Sequence, residues 1–306
     1  MAIRFDGRVA IVTGAGAGLG REHALGLAAR GARVVVNDFG GGVDGTGGSS
    51  KPAEETVSLI EAAGGEAMAH GADVTNAAQV ADMVEKTMAR WGRIDILVNN
   101  AGILRDKAFH KMEPADWNAV IAVHLTGSFM VTAAVWPHMR AANYGRIVMT
   151  SSSSGIYGNF GQANYGAAKM GVIGLMNVLH IEGAKHDIRV NTLGPGAATR
   201  MTEALLPSAV AGLMTPSSVT PGLLYLVSED APARTILNAT AGGFSRTIIL
   251  ETEGVHLSED ANTPEAIAER FAELADPATA KEYTQGGEQV MKFVGKAAAA
   301  AGLKLG

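Results

Sequence analysis

The sequence predicts an α/β fold, a doubly wound parallel sheet of about seven strands with helices on both faces. Three observations predict it. Short runs rich in Val and Ile, such as RVAIVT and RVVVN, read as strands buried on both faces. Helical patterns separate these runs through the first 240 residues. A glycine-rich turn joins the first strand to the first helix, which makes a βαβ unit.

Residues 8–13 form the first predicted strand, and GAGAGLG follows from Gly14. The glycines fit G-x-x-x-G-x-G through Gly14, Gly18 and Gly20, not GxGxxG, because position 19 is leucine. Such a turn lets the backbone approach a pyrophosphate at the positive end of the helix that follows. That helix runs to about residue 30, and residues 33–37 form a second strand closed by Asp38. A carboxylate there accepts hydrogen bonds from the adenosine ribose hydroxyls and repels a 2′-phosphate. Ala17 and Phe39 are uncharged and offer such a phosphate no partner, which favours NAD over NADP.

Residues 39–50 are glycine-rich and polar and read as a flexible loop beside the cofactor. Residues 52–63 read as a helix, and 66–70 as a strand closing on Asp73 and Val74. Asn76 caps a helix to Trp91. Residues 94–98 form a strand followed by Asn99, Asn100, Ala101 and Gly102, small enough for the two riboses to lie close to the backbone. Glu113-Pro114 opens a long helix to about residue 139. Residues 188–193 form a strand ending in Gly194, Pro195 and Gly196, before Thr199, Arg200 and Met201 in a region suited to a loop or short lid helix. A helix at 216–227 and a strand at 235–239 complete the core. Beyond it, residues 245–251 read as an extra strand, and 264–274 and 278–300 as helices. No internal repeat or second domain is visible. The fold class is a Rossmann-type single domain over residues 1–243, with a C-terminal extension, 244–306, packing on the core or on a neighbouring subunit.

The chemistry centres on SSSGIYGNFGQANYGAAK, residues 152–169. Tyr165 and Lys169 stand four apart, so a helix from Gln162 places them one turn apart on one face. Residues 146–150 read as a buried strand ending just before Ser152. A free phenol, with a pKa of ~10, is a poor base at neutral pH. A neighbouring ammonium favours the phenolate, and a serine hydroxyl can donate to a substrate oxygen as its charge changes.

Hydrophobic residues make up 47% and charged residues 18%, which permits a sizeable core and argues against disorder. The net charge of −5 makes no electrostatic case for nucleic acid. Absence of cysteine excludes disulfides and thiolate chemistry. MAIRFDG leads directly into a strand pattern, LKLG is no peroxisomal address, and no apolar run reads as long enough to span a bilayer. These signs point to a cytoplasmic protein without a membrane partner.

With TGAGAGLG, NNAG, Ser152, YxxxK and GPG in this order, the chain resembles the short-chain dehydrogenase/reductase family over roughly residues 5–243. YGRIVMTSSSSGIYGNFGQANYGAAK, NNAGILRDKAF and VHLTGSF resemble a narrower group, the (3R)-hydroxyacyl-CoA dehydrogenase part of peroxisomal multifunctional enzymes type 2 and its bacterial single-domain relatives. The resemblance implies that Ser152, Tyr165 and Lys169 are catalytic, with Tyr165 the base in alcohol oxidation. It implies that Gly14, Gly18, Leu19, Gly20, Asp38, Asp73, Val74, Asn100, Ala101 and Gly102 bind NAD, with Tyr165 and Lys169 at its nicotinamide ribose. Pro195, Gly196 and Thr199 would face the carboxamide. Many family members carry asparagine where this chain has His124, which is either a proton relay or a packed side chain. The other seven histidines lack metal-ligand spacing, so no metal is expected. Ile156, Tyr157, Asn159, Phe160 and Gln162 would wall a pocket suited to an acyl chain or a steroid. Arg105, Lys107, Arg140 and Arg200 are candidates for the phosphates of an acyl-CoA. The family resemblance implies a homodimer or homotetramer.

Overall fold

The structure, a computed structural model, describes residues 2–200 and 207–305; Met201, expected near a lid, lies outside them. The strands are β1 (Val9–Thr13), β2 (Arg33–Asn37), β3 (Glu66–His70), β4 (Ile96–Asn99), β5 (Gly145–Thr150), β6 (Ile188–Gly196), β7 (Ile236–Thr240) and β8 (Gly243–Thr247). They form one sheet in the order β3-β2-β1-β4-β5-β6-β7-β8. Every ladder from β3 across to β7 is parallel. Only two residues join β7 to β8, and both Ala241 and Gly242 have positive φ, the geometry of a tight antiparallel hairpin. The extra strand expected at 245–251 is β8, earlier and shorter than expected, and it brings the sheet to eight strands.

The inner strands β1, β4 and β5 are buried along their whole length because both sheet faces are covered there. On β1, Ala10 and Val12 enter one core and Ile11 enters the other. On β5, Val148 faces the first core and Ile147 and Met149 the second. The helices are α1 (Gly18–Ala28), α2 (Lys51–Ala62), α3 (Ala77–Trp91), α4 (Pro114–Ile121), α5 (Gly127–Ala142), α6 (Ser153–Ile156), α7 (Ala163–Gly183), α8 (Ser208–Leu213) and α9 (Thr220–Leu226). The Asn76 side chain accepts from the Ala78 and Gln79 amides and caps α3, as its position predicts. After β3 the chain crosses back to β4 on the other side of β1, so a crevice opens at the carboxyl ends of β1 and β4.

Two expectations need correction here. A π-helical turn, Ala122–Thr126, links α4 to α5, and the continuous helix Pro114–Ala142 is long and apolar enough to cross a membrane by length and composition, with mean hydropathy 1.7. Its Val120, Val131, Val135 and Met139 are fully buried in this fold, which accounts for much of that apolarity. The chain divides into two compact units, Met1–Arg246 and Thr247–Gly306, where the sequence reading divides it into a core over 1–243 and an extension over 244–306. The second holds α10 (Pro264–Glu269), α11 (Phe271–Leu274) and α12 (Gly286–Ala300). The helix expected from 278 begins only at Gly286, because Lys281 exchanges two backbone hydrogen bonds with Glu251, both 3.0 Å. Lys292 reaches Glu251 Oε1 at 2.6 Å, and Lys296 donates to the Glu253 and Gly254 carbonyls at 2.8 Å each.

Behind the glycine-rich turn, His23 of α1 is buried and its Nδ1 lies 3.0 Å from Thr220 Oγ1 on α9. Burial pushes its pKa down to about 3. The native state therefore holds His23 neutral, while the unfolded chain takes up a proton below pH ~6.5, so stability falls as pH drops from there. Between pH 7.5 and 5 the expected loss from this residue is about 2 kcal/mol. Urea unfolding at both pH values checks it: His23→Gln should lose distinctly less than the parent.

Candidate active site

Ser152, Tyr165 and Lys169 converge. Ser152 follows β5 and caps α6, its hydroxyl accepting from the Ser154 amide at 3.2 Å. α6 lies directly on α7: a Cβ on Gly155 would stand 2.8 Å from Lys169 Cβ. Ser151 Oγ donates to the Lys169 carbonyl at 2.9 Å and fixes the same approach. The Ser152 hydroxyl is thereby brought near enough to the Tyr165 phenol to favour its charged form. Lys169 is buried, with its Nζ 5.4 Å from the Tyr165 ring centre and donating to the Thr150 carbonyl at 2.6 Å.

The electrostatics differ from the simple expectation. Burial raises the Tyr165 pKa, and the Ser152 hydroxyl works against it. Lys169 is not what lowers it; burial takes the Lys169 pKa itself to about 7.

His124 lies in the π-turn, a feature that often marks functional positions. It is 3% exposed, and its ring stands edge-on to Tyr165 with centroids 5.0 Å apart. Nε2 lies 2.7 Å from the Ile103 carbonyl and 3.1 Å from the Ile103 amide. Nδ1 is buried without a hydrogen-bond partner. Burial first, and the Lys169 charge second, hold the imidazole well below its usual pKa, so it is neutral at physiological pH. Only glycine fits at Gly102, since any Cβ would overlap this ring.

A groove of about 390 Å³ opens at the switch point between β1 and β4. Of the predicted cofactor residues, Gly14, Gly18, Leu19, Asp38, Asp73 and Val74 line it, as do Asn100, Ala101, Gly102 and Thr199. Gly20 lies beneath, and Pro195 and Gly196 belong to β6; none of these three is in the lining, nor are Ser152, Tyr165 and Lys169. Gly14 has φ +64°, and a Cβ there would stand 2.8 Å from Ala101 Cα, so the turn and the β4 end touch backbone to backbone. Asn100 Nδ2 bonds the Thr13 and Gly14 carbonyls at 3.0 Å each, and the Thr13 hydroxyl accepts from the Asn100 and Ala101 amides. Asp38 Oδ2 accepts from the Gly16 amide and Oδ1 from the Gly40 amide, both at 2.7 Å.

Residues 40–48, expected as a loose loop, cross toward the chain after β4. The Leu104 amide donates to the Val43 carbonyl at 2.9 Å, and Arg105 Nε to the Asp44 carbonyl at 3.1 Å. The expected substrate wall is mixed. Ile156 packs against the core, Tyr157 and Phe160 are 75% and 91% exposed, and Gln162 bonds Asn159 and Asp106. Lys107, a candidate phosphate ligand, is paired with Asp116 at 2.7 Å. Sequence reasoning missed Thr13, Thr150 and Asn164; their roles run through long-range carbonyl and amide partners that no local spacing marks.

Comparison with known proteins follows this geometry. Residues 8–208 match the family model described as short chain dehydrogenase. The chain is 47% identical over 283 residues to peroxisomal multifunctional enzyme type 2 of Drosophila melanogaster, covering 91% of this chain and 47% of that protein. It is 45% identical to a short-chain type dehydrogenase/reductase of Mycobacterium tuberculosis, covering 90% of this chain and 96% of that one. The full-length Drosophila melanogaster enzyme superposes with TM-score 0.79 at 40% identity, over 94% of this chain and 49% of that one. A 7α-hydroxysteroid dehydrogenase complexed with NADH and 7-oxo glycochenodeoxycholic acid superposes with TM-score 0.71 at 28% identity, over 78% and 95%. The chain thus spans about half the length of the multifunctional relative it matches.

Proposed function

The chain belongs to the short-chain dehydrogenase family and is an oxidoreductase of that class, and from this premise we propose an NAD-dependent interconversion of a secondary alcohol and a ketone on 3-hydroxyacyl-CoA thioesters. The observation that carries the reading is the convergence of Ser152, Tyr165 and a buried Lys169, whose Nζ lies 5.4 Å from the tyrosine ring centre.

The groove fits a nicotinamide dinucleotide. Its glycine turn is a cradle that side chains would fill. The Asp38 carboxylate keeps lone pairs for ribose hydroxyls after accepting two amides. When bound, the nicotinamide accepts or returns the hydride. The chain's own residues do the rest. Tyr165 takes the alcohol proton during oxidation and returns it in reduction. Ser152 donates to the substrate oxygen and orients it. Lys169 holds the nicotinamide ribose and hands the proton on. For His124 the relay is the better-supported role, because its buried Nδ1 has no hydrogen-bond partner and the ring feels the Lys169 charge.

The acyl-CoA assignment is supported by the likeness to the multifunctional enzymes; the likeness to a 7α-hydroxysteroid dehydrogenase supports a hydroxysteroid alternative without favouring the 17β position. A homo-oligomer and a cytoplasmic location belong to the same proposal, although the multifunctional relatives carry peroxisomal names. A spectrophotometric panel of 3-hydroxyacyl-CoA esters and hydroxysteroids with NAD and NADP tests it. NADH formed from a steroid and none from the thioesters would sink the acyl-CoA reading.

Cofactor choice has its own test. Asp38→Ala should lower the ratio of kcat/KM with NAD to that with NADP by about ten-fold or more, since a charged hydrogen-bond acceptor and a repulsive charge go together. It should also cost some thermal stability, because the Gly16 and Gly40 amides lose their acceptor. Equal use of both cofactors by the parent enzyme would refute this role for Asp38.

A further inference from the structure

We propose that residues 40–48 form a strap that closes over the bound dinucleotide and must lift for it to enter or leave, with Arg105 as the clasp. The proposal rests on the reading of the groove as the nicotinamide dinucleotide site.

Topology places the strap. It leaves the end of β2 and fastens to the chain that follows β4. In the sheet, β1 lies between those two strands, and the carboxyl end of β1 carries the glycine-rich turn. A segment tied to both flanks therefore spans that turn, where the pyrophosphate of a dinucleotide would sit. The groove's lining accordingly includes both Gly14 and Gly18 of the turn and Gly41, Gly42, Val43 and Gly45 of the strap.

The strap is preformed at its tip and tied at its root. At the tip, the Gly42 amide donates to the Thr46 carbonyl at 2.7 Å, and Asp44 Oδ1 accepts from the Thr46 amide and hydroxyl at 3.0 and 2.8 Å. At the root, Asp38 holds the Gly40 amide, and the Ser49 amide donates to the Phe39 carbonyl at 2.8 Å. Across the groove it is held by less: the Leu104–Val43 backbone bond, the Arg105–Asp44 bond, and packing of Gly45 on Ile103. So few contacts make a segment that opens locally without unfolding its neighbours.

The other side of the clasp is fixed. Asn164 Nδ2 donates to the Arg105 carbonyl at 3.1 Å and to the Asp116 carbonyl at 3.2 Å, while its Oδ1 accepts from the Tyr165 amide at 2.8 Å. The residue next to Tyr165 thus anchors the post to which the strap is buttoned. Opening moves the strap and leaves the catalytic helix in place.

A gate and a mere contact differ kinetically. Loss of a cofactor contact speeds release only, whereas loosening a gate speeds entry and release together. Stopped-flow NADH fluorescence on the full chain reads both rates for the parent, Arg105→Ala and Arg105→Lys. Arg105→Ala should raise both association and dissociation rate constants by about ten-fold, the weight of one hydrogen bond from a charged donor. The dissociation constant should then move by less than about three-fold, and Arg105→Lys should fall between. Unchanged rates, or faster dissociation alone, would overturn the strap while leaving the groove a cofactor site. A parent protein that binds neither NADH nor NADPH would overturn the groove reading and the strap with it.

Discussion

Tyr165→Phe lowers kcat by about a thousand-fold or more, the usual weight of a positioned general base together with the geometry it holds. The Kd for NADH moves by less than about three-fold, because the loss falls on the transition state and not on cofactor binding. Phe keeps the ring that stands edge-on to His124 and removes only the phenolic hydroxyl. The fold has little reason to change. The same variant separates two sources of pH dependence. In the parent, oxidation should speed up as pH rises, because burial holds the phenol protonated and a base must be free to accept. Any part of that profile due to Lys169, whose pKa is about 7, should survive in the variant's residual activity. Single-turnover kinetics with a saturating alcohol measure both. A variant within ten-fold of the parent would remove Tyr165 from the chemistry.

The second large effect is expected at Gly20. An added Cβ would overlap the Gly14 carbonyl oxygen and stand 2.6 Å from Asn100 Nδ2. Backbone cannot give way there as a flexible side chain would, so the turn must shift. The shift also strains the Asn100 bonds to Thr13 and Gly14, which join the turn to the end of β4. Gly20→Ala should therefore weaken NADH binding by about a hundred-fold, the order of 1–3 kcal/mol of overpacking placed where the cofactor sits. The melting temperature should fall by several degrees, at roughly 2–4 °C per kcal/mol for a chain of this size. Gly71→Ala is the control, since a Cβ there meets nothing within 4 Å. Titration of NADH fluorescence and a thermal scan of both variants decide it; a Gly20→Ala protein that binds as the parent does would show that the turn is not close-packed.

Much of the fold was legible because its signals are local. Residues 33–37 and 66–70 are strands with the predicted ends, the first because a strand covered on both faces shows as an apolar run between turn residues. Asn76 was legible as a cap because a cap is satisfied within three residues. The Ser152, Tyr165 and Lys169 grouping was legible in half: helical spacing brings the last two together, but the serine arrives only because Gly155 lets α6 rest on Lys169. The second unit was the least legible. The sequence between 278 and 285 reads as helix, yet Lys281 pairs with Glu251, thirty residues earlier, and that pairing takes the backbone bonds a helix would use.

By itself, then, the sequence determined the alternating strands and helices, the glycine turn, the acid closing β2 and the side chains that can move a proton. Each is set by interactions within a few residues, where spacing and side-chain type are enough. Tertiary structure alone decided that Asp38 is held by amides from two loops, that Lys169 is buried to a pKa of about 7, and that residues 40–48 fasten across the groove. Those outcomes depend on how deeply a charge is removed from water and on which distant backbone groups are left to pair, and both are fixed only when the sheet has assembled.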